Sequence, residues 1–257
     1  MDKNNITISP VYIANVSSGK DSMYMLNLIL QNPNIYPLDG VVYFDLEIEY
    51  PFIKTIINKL EMELRKRNIP LYKIKPTYEW EVLYKKYGYP TRGSRWCNSN
   101  YKLDCKKQLN IMFNEMNRYV ISYIGYCANE IKRFEKRKNK NITEIYPLVD
   151  NDIDKNYIYE WAKNEPMYNN YYKYNYRCGC MGCPMSSKMT WAYLKIFYPK
   201  EYKYFIDKIK ETEQKRTIKY NRNITPLGSN PKYNADYLDN ILDKKYIPKL
   251  KDIEMVK

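Results

Sequence analysis

The segment that most constrains the fold of this chain is Val16-Ser17-Ser18-Gly19-Lys20-Asp21-Ser22. The mostly apolar residues 11–16 lead into it and predict a buried strand, and residues 23–30 follow it and predict a helix. A helix that begins directly after a strand and a small-residue turn points its first backbone N–H groups, and the positive end of its dipole, at the turn. Two serines and a lysine add side-chain donors. The segment predicts an anion site; the alternative is an ordinary polar turn before a helix.

The spacing of residues in this segment excludes one class of phosphate loop. A Walker-type P-loop has a glycine five residues before Gly19 and a serine or threonine directly after the lysine. Ala14 and Asp21 occupy these two positions. A kinase-like or GTPase-like loop is therefore not expected.

Strand and helix patterns alternate along the first two thirds of the chain. The predicted strands are 11–16, 40–45, 69–74, 119–124 and 145–149, and the predicted helices are 23–30, 51–67, 77–87, 98–117, 151–163, 188–197 and 199–215. This alternation predicts an α/β fold, a Rossmann-like parallel sheet with helices on both faces, plus a small C-terminal helical region. We expect an α/β nucleotide-binding domain over residues 1–165 and a cysteine-cluster and helical region over 166–257. Ligands of such sheets bind at the carboxyl ends of the strands, where both the loop and Asp45 lie.

A formal net charge of +14 in 257 residues suggests a nucleic-acid partner. The abundance of Lys, Asn, Ile and Tyr, with 30 tyrosines, is equally what an AT-rich coding sequence produces. Basic and aromatic residues interleave over 168–177, a pattern that suits stacking of unpaired bases or a tyrosine-rich surface loop. Both explanations stay open at this point.

The chain contains no histidine, which excludes Ser-His-Asp and Cys-His catalysis and every zinc site that needs histidine. No segment approaches the roughly 20 apolar residues of a membrane span. The N-terminal residues do not resemble a secretory signal, so we expect a cytoplasmic protein without membrane contact.

Three of the six cysteines lie in Cys178-Gly179-Cys180-Met181-Gly182-Cys183. Such a glycine-containing turn suits a tetrahedral thiolate site, with an iron-sulfur cluster or zinc as candidates, and a redox-active thiol pair is the alternative. We expect Cys97 to supply the fourth ligand. Cys105 and Cys127 are expected to be small buried apolar residues.

The loop resembles the Ser-Gly-Gly-x-Asp-Ser loop of the adenine nucleotide alpha hydrolase superfamily, the PP-loop ATP pyrophosphatases, with Ser18 in place of the first glycine. Further matches make the chain similar to the phosphoadenosine phosphosulfate (PAPS) reductase family. They are Phe44-Asp45-Leu46-Glu47 to Pro51, Arg95-Trp96-Cys97 with Lys102, Ile124-Gly125-Tyr126 to Glu130 and Arg133, Pro147-Leu148, and Cys180-Met181-Gly182-Cys183-Pro184.

The resemblance implies a site for ATP, or for adenylyl sulfate (APS) or PAPS, with Mg²⁺. The nucleotide-binding residues it implies are Ser17, Ser18, Gly19, Lys20, Asp21, Ser22, Asp45, Arg95, Lys102, Gly125 and Arg133. Lys20, Asp21 and Asp45 are the implied catalytic residues. The iron-sulfur members carry adjacent cysteines at the first thiol site, whereas Asn98 follows Cys97 here. Cys178 is then the fourth ligand, and the implied metal set, for a [4Fe-4S] cluster or Zn²⁺, is Cys97, Cys178, Cys180 and Cys183.

The function expected from this resemblance is cleavage of ATP to AMP and pyrophosphate, which adenylates a substrate for sulfur transfer to a nucleic acid. It would resemble the enzymes of tRNA thiolation and DNA phosphorothioation. The expected partners are tRNA or DNA and a sulfur donor or thioredoxin-like protein, and self-association stays open. One alternative is sulfonucleotide reduction, although this sequence has no cysteine after Cys183 to act as the nucleophile of that reaction. The other is a non-catalytic nucleotide- or nucleic-acid-binding module with structural zinc.

Overall fold

The computed structural model describes residues 8–130, 135, 143–168, 171–220, 225–227 and 233–255. Its strands are β1 (Ser9–Val16), β2 (Gly40–Phe44), β3 (Leu71–Ile74), β4 (Arg118–Tyr123) and β5 (Glu144–Ile145). Its α-helices are α1 (Lys20–Gln31), α2 (Pro51–Lys66), α3 (Trp80–Tyr87), α4 (Leu103–Asn114), α5 (Pro147–Asp150), α6 (Lys155–Asn164), α7 (Tyr171–Tyr174), α8 (Lys188–Phe197), α9 (Pro199–Tyr220), α10 (Ala235–Ile241) and α11 (Ile247–Met255).

The described contacts divide the chain into two compact units that interleave along the sequence. The first contains all five strands with α1, α2, α4, α5 and α6. The second contains the segment Leu46–Tyr50, α3 with the loop that follows it, and α7 to α11. The expected domain boundary near residue 165 stays a prediction.

The five strands of the first unit form one parallel sheet in the order β3-β2-β1-β4-β5. Right-handed crossovers in this order place α1 and α2 on one face and α4 on the other. The α4 face is a compact apolar layer, in which Val11 and Ile13 of β1 pack with Leu109 and Phe113 of α4. The predicted fold class, a parallel α/β sheet covered on both faces, is confirmed.

Several predicted boundaries differ from the structure for identifiable reasons. The strand predicted over 145–149 ends at Ile145, because Pro147 has no N–H for a sheet and begins α5 instead. Helix α1 begins at Lys20, so three residues predicted as loop form its first turn. The helix predicted from Asn98 begins with a π-helical turn, Cys97–Lys102, which continues into α4. None of the helices in the described part of the chain has the length and apolar character needed to span a bilayer.

Candidate functional site

The predicted phosphate loop lies at the point where the order of the sheet reverses. The chain leaves β1 towards β2 on one side and later returns to β4 on the other side of β1. In parallel α/β sheets, this reversal opens a crevice at the carboxyl ends of the two central strands. Ser17 follows β1 directly, and Gly125 comes two residues after the end of β4.

The loop is closed by hydrogen bonds between its two ends. The Ser17 N–H donates to Ser22 Oγ at 3.0 Å, and the Ser22 hydroxyl donates to the Gly19 carbonyl at 3.0 Å. The Met23 N–H donates to the same carbonyl at 3.1 Å, which begins the bonding of α1. The Ser22 hydroxyl therefore links the two ends of the loop. The Ser17 side chain is exposed.

Ser18 has the strained conformation for which a glycine is best suited. Its φ angle is +55°, a left-handed value that costs a residue with a Cβ atom about 1–2 kcal/mol. Its side chain is fully buried, and its Oγ has no hydrogen-bond partner among the described residues. A buried hydroxyl without a partner is unfavourable, so this atom is where a bound anion would find a donor.

Lys20 and Asp21 form an ion pair in the first turn of α1. The Lys20 side chain is buried, whereas Asp21 is half-buried and accepts a hydrogen bond at 3.7 Å from the Cys127 thiol. Burial, and then the Asp21 carboxylate, raise the pKa of Cys127 to about 12, although Lys20 opposes the shift. Cys127 is thus a neutral, buried donor to a predicted catalytic carboxylate.

Gly125 is the point of closest approach between the end of β4 and α1. A Cβ atom at this position would lie 3.1 Å from backbone atoms of Asp21 and Ser22, tighter than ordinary van der Waals contact. The absence of a side chain lets the two segments meet. The structure brings Gly125 together with the predicted loop residues.

The other predicted nucleotide ligands are less confined. Asp45, half-buried, follows β2, and its carboxylate lies 3.9 Å from the Lys75 ammonium. Lys102 is exposed directly before α4 in the first unit, and Arg95 is exposed in the second unit. Arg133 lies outside the described residues.

Three of the four predicted metal-ligating cysteines are electrostatic neighbours of one buried tyrosine of the second unit. Burial raises the pKa of Tyr89 well above its usual range, and the thiols of Cys183, Cys97 and Cys180 are close enough to raise it further. Burial, then Cys183, raises the pKa of Cys97 to about 11. Cys97, Cys180 and Cys183 therefore share Tyr89 as a neighbour within the second unit.

Cys178 has different neighbours, although it is only two residues from Cys180. It is half-buried, and its pKa is raised to about 12 by burial and the Glu49 carboxylate. Its thiol raises the pKa of Tyr50 and of Tyr171, which pack against each other with ring centroids 5.3 Å apart. The structure separates the surroundings of Cys178 from those of the other three.

The thiols fit a metal by donor chemistry, since soft thiolates are the preferred ligands of zinc and iron-sulfur clusters. Their positions do not fit: among the described residues, no three Cys, Asp or Glu side chains are close enough together to hold one ion. The four-cysteine set stays a prediction, and we derive no chemical step through a metal.

The turn between Cys180 and Cys183 is tightly packed. Gly182 has a φ angle of +64°, and a Cβ atom there would lie 2.4 Å from the Phe205 ring of α9. The Tyr89 hydroxyl donates to the Gly182 carbonyl, and the Met181 N–H donates to Ile48 O at 2.8 Å. Backbone and core hold this turn in place.

The tyrosines of residues 168–177 are largely core residues. Tyr168, Tyr171 and Tyr172 are at most 1% exposed, which rules them out as a surface loop or as platforms for bases. Cys105 and Cys127 are both fully buried, as expected. Sequence reasoning assigned no role to Cys127 or to Tyr89. Cys127 lies within the matching segment from Ile124 to Glu130, so its position after β4 was an available signal, whereas Tyr89 had none.

Comparison with known proteins adds the following findings. No family model matches the chain. An uncharacterized protein of Methanocaldococcus jannaschii is 28% identical over 203 residues, which cover 76% of this chain and 46% of that protein. The chain therefore spans about half the length of the curated relative that it matches.

Among solved structures, the U34-tRNA thiolase NcsA from Methanococcus maripaludis with its [4Fe-4S] cluster is similar, with a TM-score of 0.37 and 14% identity. The match covers 93% of this chain and 82% of that chain. At this TM-score the likeness carries no inference about function, and the fold assignment rests on the order and direction of the strands.

Proposed function

We propose that the protein binds ATP, or a related adenine nucleotide, at the Ser17–Ser22 loop and cleaves it to AMP and pyrophosphate. The observation that carries this proposal is the buried hydroxyl of Ser18, which has no partner in the described part of the chain and lies in a loop at the N-terminus of a 12-residue helix. The first N–H groups of a helix need acceptors from outside it, and a phosphate supplies them. The position of the loop at the reversal point of the sheet also supports the proposal.

The proposed reaction adenylates an oxygen atom of the substrate. That oxygen attacks the α-phosphorus, the bond between the α- and β-phosphates breaks, and pyrophosphate leaves. Lys20 and the loop amides would stabilise the negative charge that develops on the phosphoryl oxygens. Asp21 and Asp45 offer the carboxylate oxygens that Mg²⁺ prefers, and a bound Mg²⁺ would neutralise phosphate charge. Arg95, Lys102 and Arg133 stay proposed phosphate ligands.

The second half of the proposal is sulfur transfer to a nucleic acid, tRNA or DNA. A sulfur nucleophile would attack the activated carbon or phosphorus of the substrate and release AMP. The net charge of +14 supports a polyanionic acceptor. The proposal assigns sulfur handling to the thiols of the second unit, with a separate sulfur donor or thioredoxin-like partner. Iron and zinc analysis of anaerobically purified protein tests whether Cys97, Cys178, Cys180 and Cys183 bind a metal.

The deciding experiment separates the products of ATP after incubation with Mg²⁺ and candidate acceptor RNA or DNA. The proposal predicts AMP and pyrophosphate, and Lys20→Ala should slow their formation about 100-fold, because a charge-stabilising donor is lost. Lys54→Ala is the matched control, since Lys54 is an exposed lysine of α2 in the same unit. ADP and phosphate as products, or equal rates for Lys20→Ala and wild type, would contradict the proposal. Release of sulfite from APS or PAPS with a reduced thioredoxin-like protein would favour the reductase alternative.

A further inference from the structure

A stretch of the second unit combines exposed cations with a complete lack of carboxylates. Residues 82–101 contain Lys85, Lys86, Arg92 and Arg95 and no Asp or Glu. All four cations are exposed, and Tyr87 between them is 39% exposed. We refer to these five residues as the Tyr87 surface.

The local structure accounts for only part of this charge. Lys85 and Lys86 lie in the last turn of α3, where cations offset the negative end of the helix dipole. Arg92 and Arg95 lie beyond the helix, so that explanation does not apply to them. Glu81 and Glu211, two carboxylates of this unit, are paired with Lys208 and Lys215. Lys85 is close enough to Glu81 to help lower the pKa of that carboxyl, but none of the four cations is within ion-pair distance of a described carboxylate.

The Tyr87 ring packs against buried Trp96, which packs in turn against buried Trp80, with tilted rings at both contacts. Its centroid lies 5.9 Å from that of Trp96, at an interplanar angle of 31°, and the Trp96 and Trp80 centroids are 4.7 Å apart. Trp96 and Trp80 are 4% and 3% exposed, and the Trp96 indole N–H donates to the Gly88 carbonyl at 2.9 Å. The exposed ring is thus the outer end of a fixed aromatic stack.

One cation lies at this ring, and two more lie in the loop that follows. The Lys86 ammonium lies over the Tyr87 ring, 5.2 Å from its centroid. Arg92 is at the tip of a tight turn, closed by the Thr91 N–H donating to the Ser94 carbonyl at 3.0 Å and the Ser94 N–H donating to Thr91 Oγ1 at 2.8 Å. Lys86 is exposed, so its ammonium can move from the ring to a phosphate when a base stacks there, and an exposed ring with cations close to it is an arrangement that binds an unpaired base and its flanking phosphates.

We propose that the Tyr87 surface binds a single-stranded segment of nucleic acid, with one unpaired base stacked on Tyr87 and its flanking phosphates on Lys85, Lys86 and Arg92. An acidic polypeptide could form ion pairs with the cations, but it has no flat base to stack on the exposed Tyr87 ring. Cys97 directly follows Trp96, so the strand would lie along the segment that carries a proposed sulfur-handling thiol. The identification of this strand as the sulfur acceptor rests on the proposed function; the binding itself does not.

Binding is tested without ATP, by fluorescence anisotropy of a labelled single-stranded RNA, the matching single-stranded DNA and a duplex of equal length. We expect both single strands to bind more tightly than the duplex. The ratio of the dissociation constants for single-stranded RNA and single-stranded DNA shows which of them is the preferred ligand. Tyr87→Ala should weaken single-strand binding about tenfold, whereas Tyr87→Phe, which keeps the ring, should stay within about twofold of wild type. The triple variant Lys85→Ala, Lys86→Ala, Arg92→Ala should bind with a weaker salt dependence. The slope of the logarithm of the binding constant against the logarithm of the salt concentration should fall in magnitude by about 2, at about 0.7 for each lost phosphate contact.

The matched control is Tyr220→Ala. Tyr220 is 51% exposed and also has a lysine 5.2 Å from its ring centroid, but it belongs to none of the aromatic pairs found among the described residues. Equal losses for Tyr87→Ala and Tyr220→Ala, no effect of Tyr87→Ala, or competition by polyglutamate as effective as by the single strand would each overturn the inference. Strand binding without AMP formation would contradict the proposed function and leave the Tyr87 surface intact. AMP formation by a protein that binds no single strand would contradict the Tyr87 surface and leave the proposed ATP cleavage intact.

Discussion

Ser18 in the first unit and Gly182 in the second have nearly the same left-handed backbone, with φ angles of +55° and +64°, but their surroundings differ. The turn at Ser18 accommodates a side chain, whose buried hydroxyl has no partner among the residues that the structure describes. The turn at Gly182 has no room for even one carbon, because the Phe205 ring fills that space. The turn at Ser18 therefore has a polar group available to a ligand, whereas the turn at Gly182 is fixed by its packing against Phe205. We therefore expect mutations in the loop to change ligand binding and mutations in the thiol turn to change stability.

The largest effect is expected for Gly182→Ala. The new methyl group would overlap the Phe205 ring, and overpacking of a core typically costs about 1–3 kcal/mol. The left-handed backbone adds about 1–2 kcal/mol for a residue with a Cβ atom. We expect the free energy of unfolding, measured by urea denaturation, to fall by about 3 kcal/mol.

Gly179→Ala is the control for this loss. Gly179 belongs to the same cysteine segment, but a Cβ atom there would meet nothing within 4 Å. Its unfolding free energy should stay within about 0.5 kcal/mol of wild type. Equal losses for the two variants would show that the turn is not packed against Phe205, and the contrast with Ser18 would disappear.

The second effect concerns the Cys127 thiol beneath the loop, and depends on pH. Its pKa is about 12 in the folded protein against an ordinary 9.0, so its contribution to stability is fully present below pH 9 and is lost as the pH rises towards 12. We compare the unfolding free energy of wild type with that of Cys127→Ala at each pH. The difference, wild type minus variant, should fall by about 1.4 kcal/mol for each pH unit over that range. Urea denaturation of both proteins from pH 8 to 10.5 should show a relative change of about 2 kcal/mol. Parallel pH profiles would mean that the thiol is not buried beside Asp21.

A smaller loss of stability is expected for Tyr89→Phe. The Tyr89 hydroxyl donates to the Gly182 carbonyl, and removing it leaves a buried acceptor without that bond. We expect a loss of about 1–2 kcal/mol in unfolding free energy. Tyr220→Phe, at an exposed tyrosine, should have no measurable effect. If the two substitutions are equivalent, the hydrogen bond does not hold the thiol turn.

The contrast between the two turns also separates what the sequence could predict from what it could not. The Ser17–Ser22 loop is a local structure, set by a strand, a few small residues and a helix start, so its place at the carboxyl ends of the strands could be predicted. Helix α8 begins and ends at the predicted residues for the same reason. The surroundings of Cys178 and Cys180 depend on Tyr50 and Tyr89, which are about 90 residues or more away along the chain, and no local pattern encodes such partners. Burial of Tyr168, Tyr171 and Tyr172 likewise depends on tertiary packing. The interleaved basic and aromatic residues of this segment predicted an exposed segment instead.

The smallest stability change, and the only gain, is expected for Ser18→Gly. Glycine adopts the left-handed backbone without steric cost, and the substitution removes a buried hydroxyl that has no partner among the described residues. Part of this gain is offset because glycine has more conformational freedom in the unfolded chain. We expect unfolding free energy to rise by about 1 kcal/mol. Ser18→Ala, which keeps the backbone strain and removes only the hydroxyl, separates the two contributions.

Nucleotide binding by the same variants decides what the hydroxyl is for. If Ser18 Oγ donates to a phosphate, both substitutions should weaken ATP binding about tenfold in equilibrium titration, which corresponds to one lost hydrogen bond to a charged group. Greater stability with weaker binding would mark Ser18 as a residue retained for a ligand at the expense of the fold. If Ser18→Gly binds ATP as tightly as wild type, the hydroxyl does not contact the nucleotide, and the observation that carries the proposed function is removed.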